Sequence, residues 1–206
     1  MVPYVIRQGD FLTKLAQRLG VDAETVWNDP KNADLKKRRK SFDVLCPGDL
    51  IYLPDPKRTW MPLKIGTVNQ FTGTVAFVEV QIKLAQEGAP LANTACHVEG
   101  IGDPIDLTTD GAGLVTFKVP VECTTAVIVL DDPPARYAVR LGHMDPEDET
   151  SGVRSRLGNL GYLDDAEAGG DSVASSVQAF QSDSGLETTG VVDDATRKAL
   201  VDRHGH

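Results

Sequence analysis

The apolar residues of this 206-residue chain change their period twice along its length. Leu12, Leu15, Ala16 and Leu19 keep the i, i+3, i+4, i+7 spacing of one helix face. Residues 75–82 and 126–130 are instead β-branched runs of strand length. Helical spacing returns in Val153, Leu157 and Leu160, and again in Val173, Val177 and Phe180. The alternation predicts a multidomain α+β protein of three small modules, each of roughly 50–80 residues, a size at which single folds remain viable. Charge divides along similar lines. Residues 1–60 carry 11 Lys+Arg and 8 Asp+Glu, a net of +3; the remainder carry 10 and 22, a net of −12.

The total of −9, with 41% hydrophobic residues, describes a globular chain without the basic face needed to neutralise phosphates, so no nucleic-acid partner is expected. No apolar run approaches the roughly 18–20 residues of a bilayer span, and no membrane span is expected. The stretch MVPYVIRQGDF lacks the basic and apolar regions of a secretory leader. That predicts synthesis in the cytoplasm, with action at the cell envelope or export by a signal-independent route. Cys46, Cys96 and Cys123 are too few for a disulfide framework. Reduced thiols are expected, with a Cys96–Cys123 bridge as the alternative.

Residues 1–56 read as strand, helix, helix, strand. Tyr4-Val5-Ile6 is a short strand ended by Gly9-Asp10, and Asp10 is placed to cap the first helix, which Gly20 stops. Asp22 caps a shorter helix through Val26 and Trp27, broken by Asn28-Asp29-Pro30. Pro47-Gly48-Asp49 turns into the strand Leu50–Leu53, which Pro54 closes. Tyr4-Val5, Gly9-Asp10, Leu12, Leu15-Ala16, Val26-Trp27-Asn28 and Leu45-x-Pro47-Gly48-Asp49-x-Ile51-x-Leu53-Pro54 together resemble the LysM module. The resemblance implies a βααβ fold that binds N-acetylglucosamine polymers, peptidoglycan or chitin. Its groove lies between the turn after the first strand and the loop after the second helix. It thereby carries a glycan-binding role onto Gly9, Asp10, Phe11 and Leu12, and onto Trp27, Asn28, Asp29 and Pro30. The plainer reading of the same residues is structural: Asp10 as a helix cap, Phe11 and Trp27 as core, Asn28-Asp29-Pro30 as a helix stop. The stretch Lys31 to Val44 is longer than the loop most such modules have there.

Residues 63–142 carry turn signals at close intervals, among them Asp110-Gly111-Ala112-Gly113 and Asp131-Asp132-Pro133-Pro134. They predict a small antiparallel β-sandwich acting as a spacer. Ala89 to Asn93 and Thr109 to Phe117 resemble the Cna-B-like or prealbumin-like sandwiches of surface proteins.

An acidic linker, Asp145 to Thr150, precedes the third module, residues 150–206. Ser151, Asp171 and Asp193 or Asp194 are candidate caps for three short helices. Leu157-x-x-Leu160-Gly161-Tyr162-Leu163, Val177-x-x-Phe180-Gln181, Gly185-Leu186, Gly190-Val191-Val192 and Thr196-x-x-x-Leu200 resemble the helical peptidoglycan-binding domain found beside cell-wall hydrolases. The resemblance implies a three-helix peptidoglycan-binding bundle, with Tyr162, Phe180 and Gln181 as a second set of wall-binding residues. Three departures stand out. Arg156 replaces the usual Gln, the loop from Asp164 to Asp171 lacks the Asp-Gly-x-x-Gly pattern, and Asp193 replaces a common Gly.

The run Lys36-Lys37-Arg38-Arg39-Lys40 suits teichoic acid, stem-peptide carboxylates, anionic lipid, an acidic partner or the acidic remainder of the chain itself. A solvated face is its plainer reading. His97, His143, His204 and His206 show no zinc-ligand spacing, there is no GxSxG, and Cys96 and His97 would point to opposite strand faces. No catalytic residue, metal or cofactor is expected. The sequence thus reads as a non-catalytic peptidoglycan-binding protein with two wall-binding modules. The alternative is an adaptor of a phage-tail-like or contractile secretion apparatus, whose partner would be an apparatus or effector protein.

Overall fold

The computed structural model describes residues 1–56, 61–86, 88–163 and 173–205. These fall into two compact units, and the N-terminal segment contributes to both. One unit holds Met1–Val2, Leu12–Val26 and Tyr52–Gly142; the other holds Pro3–Phe11, Trp27–Ile51 and His143–His206. The fold is α+β, with antiparallel strand pairs in the middle of the chain and helices toward both ends.

Short-range signals place the N-terminal elements. Strand β1 (Val2–Val5) pairs with β2 (Leu50–Leu53), and the Ile6 N–H donates to the Asp49 carbonyl at 2.8 Å just beyond them. Helix α1 (Leu12–Leu19) buries Leu12, Leu15 and Ala16, and Gly20 ends it in a left-handed conformation (φ +66°) that an L side chain resists. Asp22 precedes α2 (Ala23–Trp27), its carboxylate accepting from the Thr25 N–H at 2.7 Å and the Thr25 hydroxyl at 2.8 Å. The stretch from Lys31 to Val44 is not simply a loop. Pro30 starts a 3₁₀ turn (Pro30–Asn32) that continues into a third helix, α3 (Ala33–Arg38). The reason is local: Asp29 caps the turn from its extended position, and proline at the first helical site has no N–H to waste. The same three residues therefore end one helix and begin another.

The central segment forms β3 (Phe77–Lys83), β4 (Ala85–Gln86), β5 (Ala89–Pro90), β6 (Ala95–Glu99), β7 (Ile105–Thr108), β8 (Leu114–Pro120), β9 (Thr125–Asp131) and β10 (Pro134–Arg140). A four-stranded sheet runs β10-β9-β6-β7, and β3 pairs with β8 in full register from Phe77–Pro120 to Lys83–Leu114. Alternate residues of both, including Val98, Ile128, Leu130, Val115, Phe117 and Val119, share one apolar core. The turn before β8 is set by Asp110, whose carboxylate accepts from the Ala112 and Leu114 N–H groups at 2.8 Å each. Cys46, Cys96 and Cys123 are free thiols. The side chain of Gln17 on α1 hydrogen-bonds the Thr74 carbonyl and the Ala76 N–H, and Arg18 makes a two-pronged ion pair with Glu122.

Toward the C-terminus, α4 (Thr150–Asn159), α5 (Ala174–Asp183) and α6 (Asp194–His204) share a core of Val153, Leu157, Val177, Phe180 and Leu200. The N-cap of α4 is Glu149 rather than Ser151, and its side chain makes no capping bond because it pairs elsewhere. Gly161 (φ +82°) stops α4, with the Tyr162 N–H returning to the Leu157 carbonyl at 2.9 Å. Asp193 caps α6 through the Thr196 N–H at 2.8 Å. The expected cap Asp171, the 164–171 loop and His206 lie outside the described residues. No described helix is long and apolar enough to cross a membrane.

Candidate functional site

The sugar-directed residues of the N-terminal segment divide by exposure. Phe11, Leu12 and Trp27 are buried, and the Trp27 ring lies 6.2 Å from Phe42, tilted by 59°. No aromatic face of theirs is offered to a sugar ring. Asp10 stitches the strand end together, accepting from the Tyr4 hydroxyl at 2.8 Å and the Arg7 N–H at 3.0 Å. Gly9 has φ +82° in the turn before it. Asn28 and Pro30 are exposed; the Asn28 side-chain oxygen accepts from the Lys36 ammonium, and Asp29 accepts from the Lys31 N–H at 2.9 Å. What faces solvent here is Asn28, Pro30 and backbone rather than an aromatic ring.

The basic run finds its partners within the chain. Arg39, the C-cap of α3, is 6% exposed and donates from all three of its guanidinium nitrogens. Nε and Nη2 grip the two oxygens of buried Asp49 at 2.8 and 3.1 Å. Nη1 reaches both oxygens of Asp148 at 2.9 and 3.0 Å, and Nη2 reaches Glu149 at 2.8 Å. Lys40 pairs with Glu147 at 2.6 Å. The hydrogen bond to Asp49 is the largest influence holding the Arg39 proton more firmly than usual. Burial works against the Asp49 charge, yet the bonds from Arg39 and the Cys46 N–H outweigh it and keep that carboxyl below its ordinary range. Glu147 follows the same pattern, burial raising it and Lys40 lowering it further.

Beside this clasp lies a cleft of about 200 Å³ whose lining includes Arg38, Lys40, Ser41, Glu147, Asp194 and Arg197. Nothing in the local spacing of either segment identifies it. The charge of the run is plain in the sequence; its distant partners Glu147, Asp148 and Glu149, about a hundred positions away, are not.

Of the second set, Tyr162 is half-buried, whereas Phe180 and Gln181 are fully enclosed. Tyr162 meets Phe180 edge-on at 5.4 Å, its hydroxyl donates to Asp183 at 3.1 Å, and the Arg203 guanidinium lies over both rings. Gln181 donates to the Val191 carbonyl and the Thr196 hydroxyl at 2.9 Å each, and accepts from the Gly190 N–H at 2.9 Å. Phe180 is therefore core, and Gln181 ties residues 189–191 and Thr196 of α6 to α5. Arg156 is 0% exposed and donates from Nη1 to the Asp145 and Gly152 carbonyls, while burial lowers its affinity for its proton. Among the described residues no group of three or more His, Cys, Asp or Glu is placed to hold a metal ion.

Comparison with curated proteins and with solved structures gives no match. Residues 147–200, from the acidic partners of Lys40 and Arg39 through Leu200, match the family described as "Putative peptidoglycan binding domain", a stretch that holds α4, α5 and the first part of α6.

Proposed function

We propose that the protein is a non-catalytic peptidoglycan binder acting at the cell envelope, with two points of attachment to the polymer. The family match over residues 147–200, on helices with a closed apolar core, is the observation that carries this reading. The second attachment is the LysM-like segment, which takes N-acetylglucosamine units through the backbone around Gly9 and Asp10 and the polar groups at Asn28 and Asp29. Support for it comes from the ordered LysM-like motifs and from the exposure of Asn28 and Pro30. Either attachment alone is weak. Joined in one chain, each raises the effective concentration of the other along a repetitive polymer.

Co-sedimentation of the purified full chain with cell-wall sacculi tests the reading. Binding is expected, with partial competition by N-acetylglucosamine oligomers, and Asn28→Ala should remove the competed part only. Absence of binding would refute the proposal in favour of an adaptor role in a secretion apparatus. Release of soluble muropeptides would refute the non-catalytic assignment.

A further inference from the structure

The cleft beside the Arg39 clasp is unlike a sugar site. Carbohydrate rings are held on aromatic faces beside hydrogen-bonding groups. None of the residues lining this cleft is aromatic. A second hollow of about 410 Å³ shares Lys40, Asp194 and Arg197 with it and continues along α6 past Lys198 and Asp202. That volume falls within the range of roughly 300–1,000 Å³ usual for small-ligand sites. Its walls alternate in sign: Arg38, Lys40, Arg197 and Lys198 against Glu147, Asp194 and Asp202.

Arg197 is only partly engaged. The Arg197 Nη1 pairs with Asp194 at 3.0 Å, but its Nε is enclosed and has no hydrogen-bond partner. Asp194 acts also on Lys40, favouring its charged form, so the shared residues of the two hollows already form one electrostatic group. A ligand complementary to such a wall carries both signs. It presents carboxylates to Lys40 and Arg197, and an ammonium to Asp194 or Asp202.

We propose that this cleft binds the peptide stem of the wall polymer, a short peptide bearing free carboxylates and a free amine, rather than its glycan. The inference rests on the peptidoglycan reading above and names the part of the polymer that the Lys40–Arg197 face reads. It gives the chain separate contacts for the two chemical halves of one substrate.

The test is isothermal titration of the full chain with a soluble stem tetrapeptide whose diamino acid has a free side-chain amine. Parallel titrations use the same peptide amidated at its carboxylates and an N-acetylglucosamine oligomer. The unmodified peptide should bind, and the amidated one should not. Arg197→Gln should weaken peptide binding about ten- to a hundredfold, the loss expected for one charge-assisted hydrogen bond. It should leave oligomer binding unchanged. Lys198→Ala and Asp202→Asn, on exposed positions of α6, test the second hollow without touching the core and should each weaken the peptide severalfold. Sacculus binding without tetrapeptide binding, or tetrapeptide binding indifferent to Arg197→Gln, overturns the cleft assignment and leaves the peptidoglycan reading standing. Loss of sacculus and tetrapeptide binding together overturns both.

Discussion

Arg39→Met is the most informative single substitution. Methionine keeps an unbranched apolar stem and deletes all five donors, so Asp49, 5% exposed, keeps its charge in a buried site. Breaking a buried pair by removing one partner costs about 3–5 kcal/mol. Two features place the expected value at the low end. The Cys46 N–H still donates to Asp49 at 3.0 Å, and the Arg38 Nη1 stands 3.7 Å away. Asp148 and Glu149 are more than a third exposed, return to water, and add no more than about 1 kcal/mol between them. The expected loss is therefore about 3 kcal/mol, measured by urea unfolding with linear extrapolation. Asp49→Asn alone should cost a comparable amount, and the double variant should cost well under the sum, because neither charge is then stranded. The Asp49 carboxyl is depressed in the fold, so its contribution is present above the ordinary value of 3.8 and is lost as pH falls through the folded one. The variant should lose part of that acid-limb dependence. A loss below about 1 kcal/mol, or strict additivity of the two substitutions, would refute the argument that Arg39 is a buried clasp.

Further outcomes follow from other contacts. A Cβ on Gly152 would stand 1.9 Å from the Pro146 carbonyl oxygen and 2.6 Å from that of Asp145, so Gly152→Ala should lower the melting temperature sharply, by overpacking worth about 3 kcal/mol or more. Gly158→Ala meets only the end of the Leu163 side chain at 3.1 Å and should be nearly neutral in the same assay. Gln181→Leu strands the Gly190 N–H and the Val191 carbonyl, and should cost about 2–4 kcal/mol in urea unfolding. Sacculus binding by the fraction still folded should be unchanged. Burial lowers the His204 pKa, the Gly205 carbonyl opposing and the Arg156 charge assisting, and Nε2 accepts from Asn159 at 2.9 Å in the neutral form. Its stabilisation is therefore complete above the ordinary value of 6.5 and is lost as pH falls below it toward the folded value. Thermal unfolding at about pH 7.5 and about pH 5.5 should show that loss, and His204→Gln should flatten it.

The element types could be read from local spacing because the forces that set them act over three to five residues. Asp22, Asp110 and Asp193 bond the N–H groups that their positions announce, and Gly20 and Gly161 end helices in a conformation glycine alone adopts cheaply. Where local reading went astray, the competing force was equally local or was distant. Asp29-Pro30 reads as a stop, although the same pair is a good helix start. Glu149 leaves its capping position unserved because Arg39, 110 residues away, takes its carboxylate.

The site depended more heavily on tertiary structure. Motif spacing brought Gly9, Asp10, Trp27 and Asn28 into consideration together, and Tyr162, Phe180 and Gln181 likewise, but a motif cannot separate a residue kept for binding from one kept for packing. Burial separates them: Trp27, Phe180 and Gln181 are enclosed, while Asn28 and part of Tyr162 meet solvent. Three stretches of distinct period, their caps and turns, and a basic run in an acidic chain are local properties, and all of them stand in the order of the residues. Which carboxylates that run meets, and the cleft that opens beside them, follow from the packing of distant segments. An ion pair depends on distances between positions far apart in the chain, and neither periodicity nor composition carries that information.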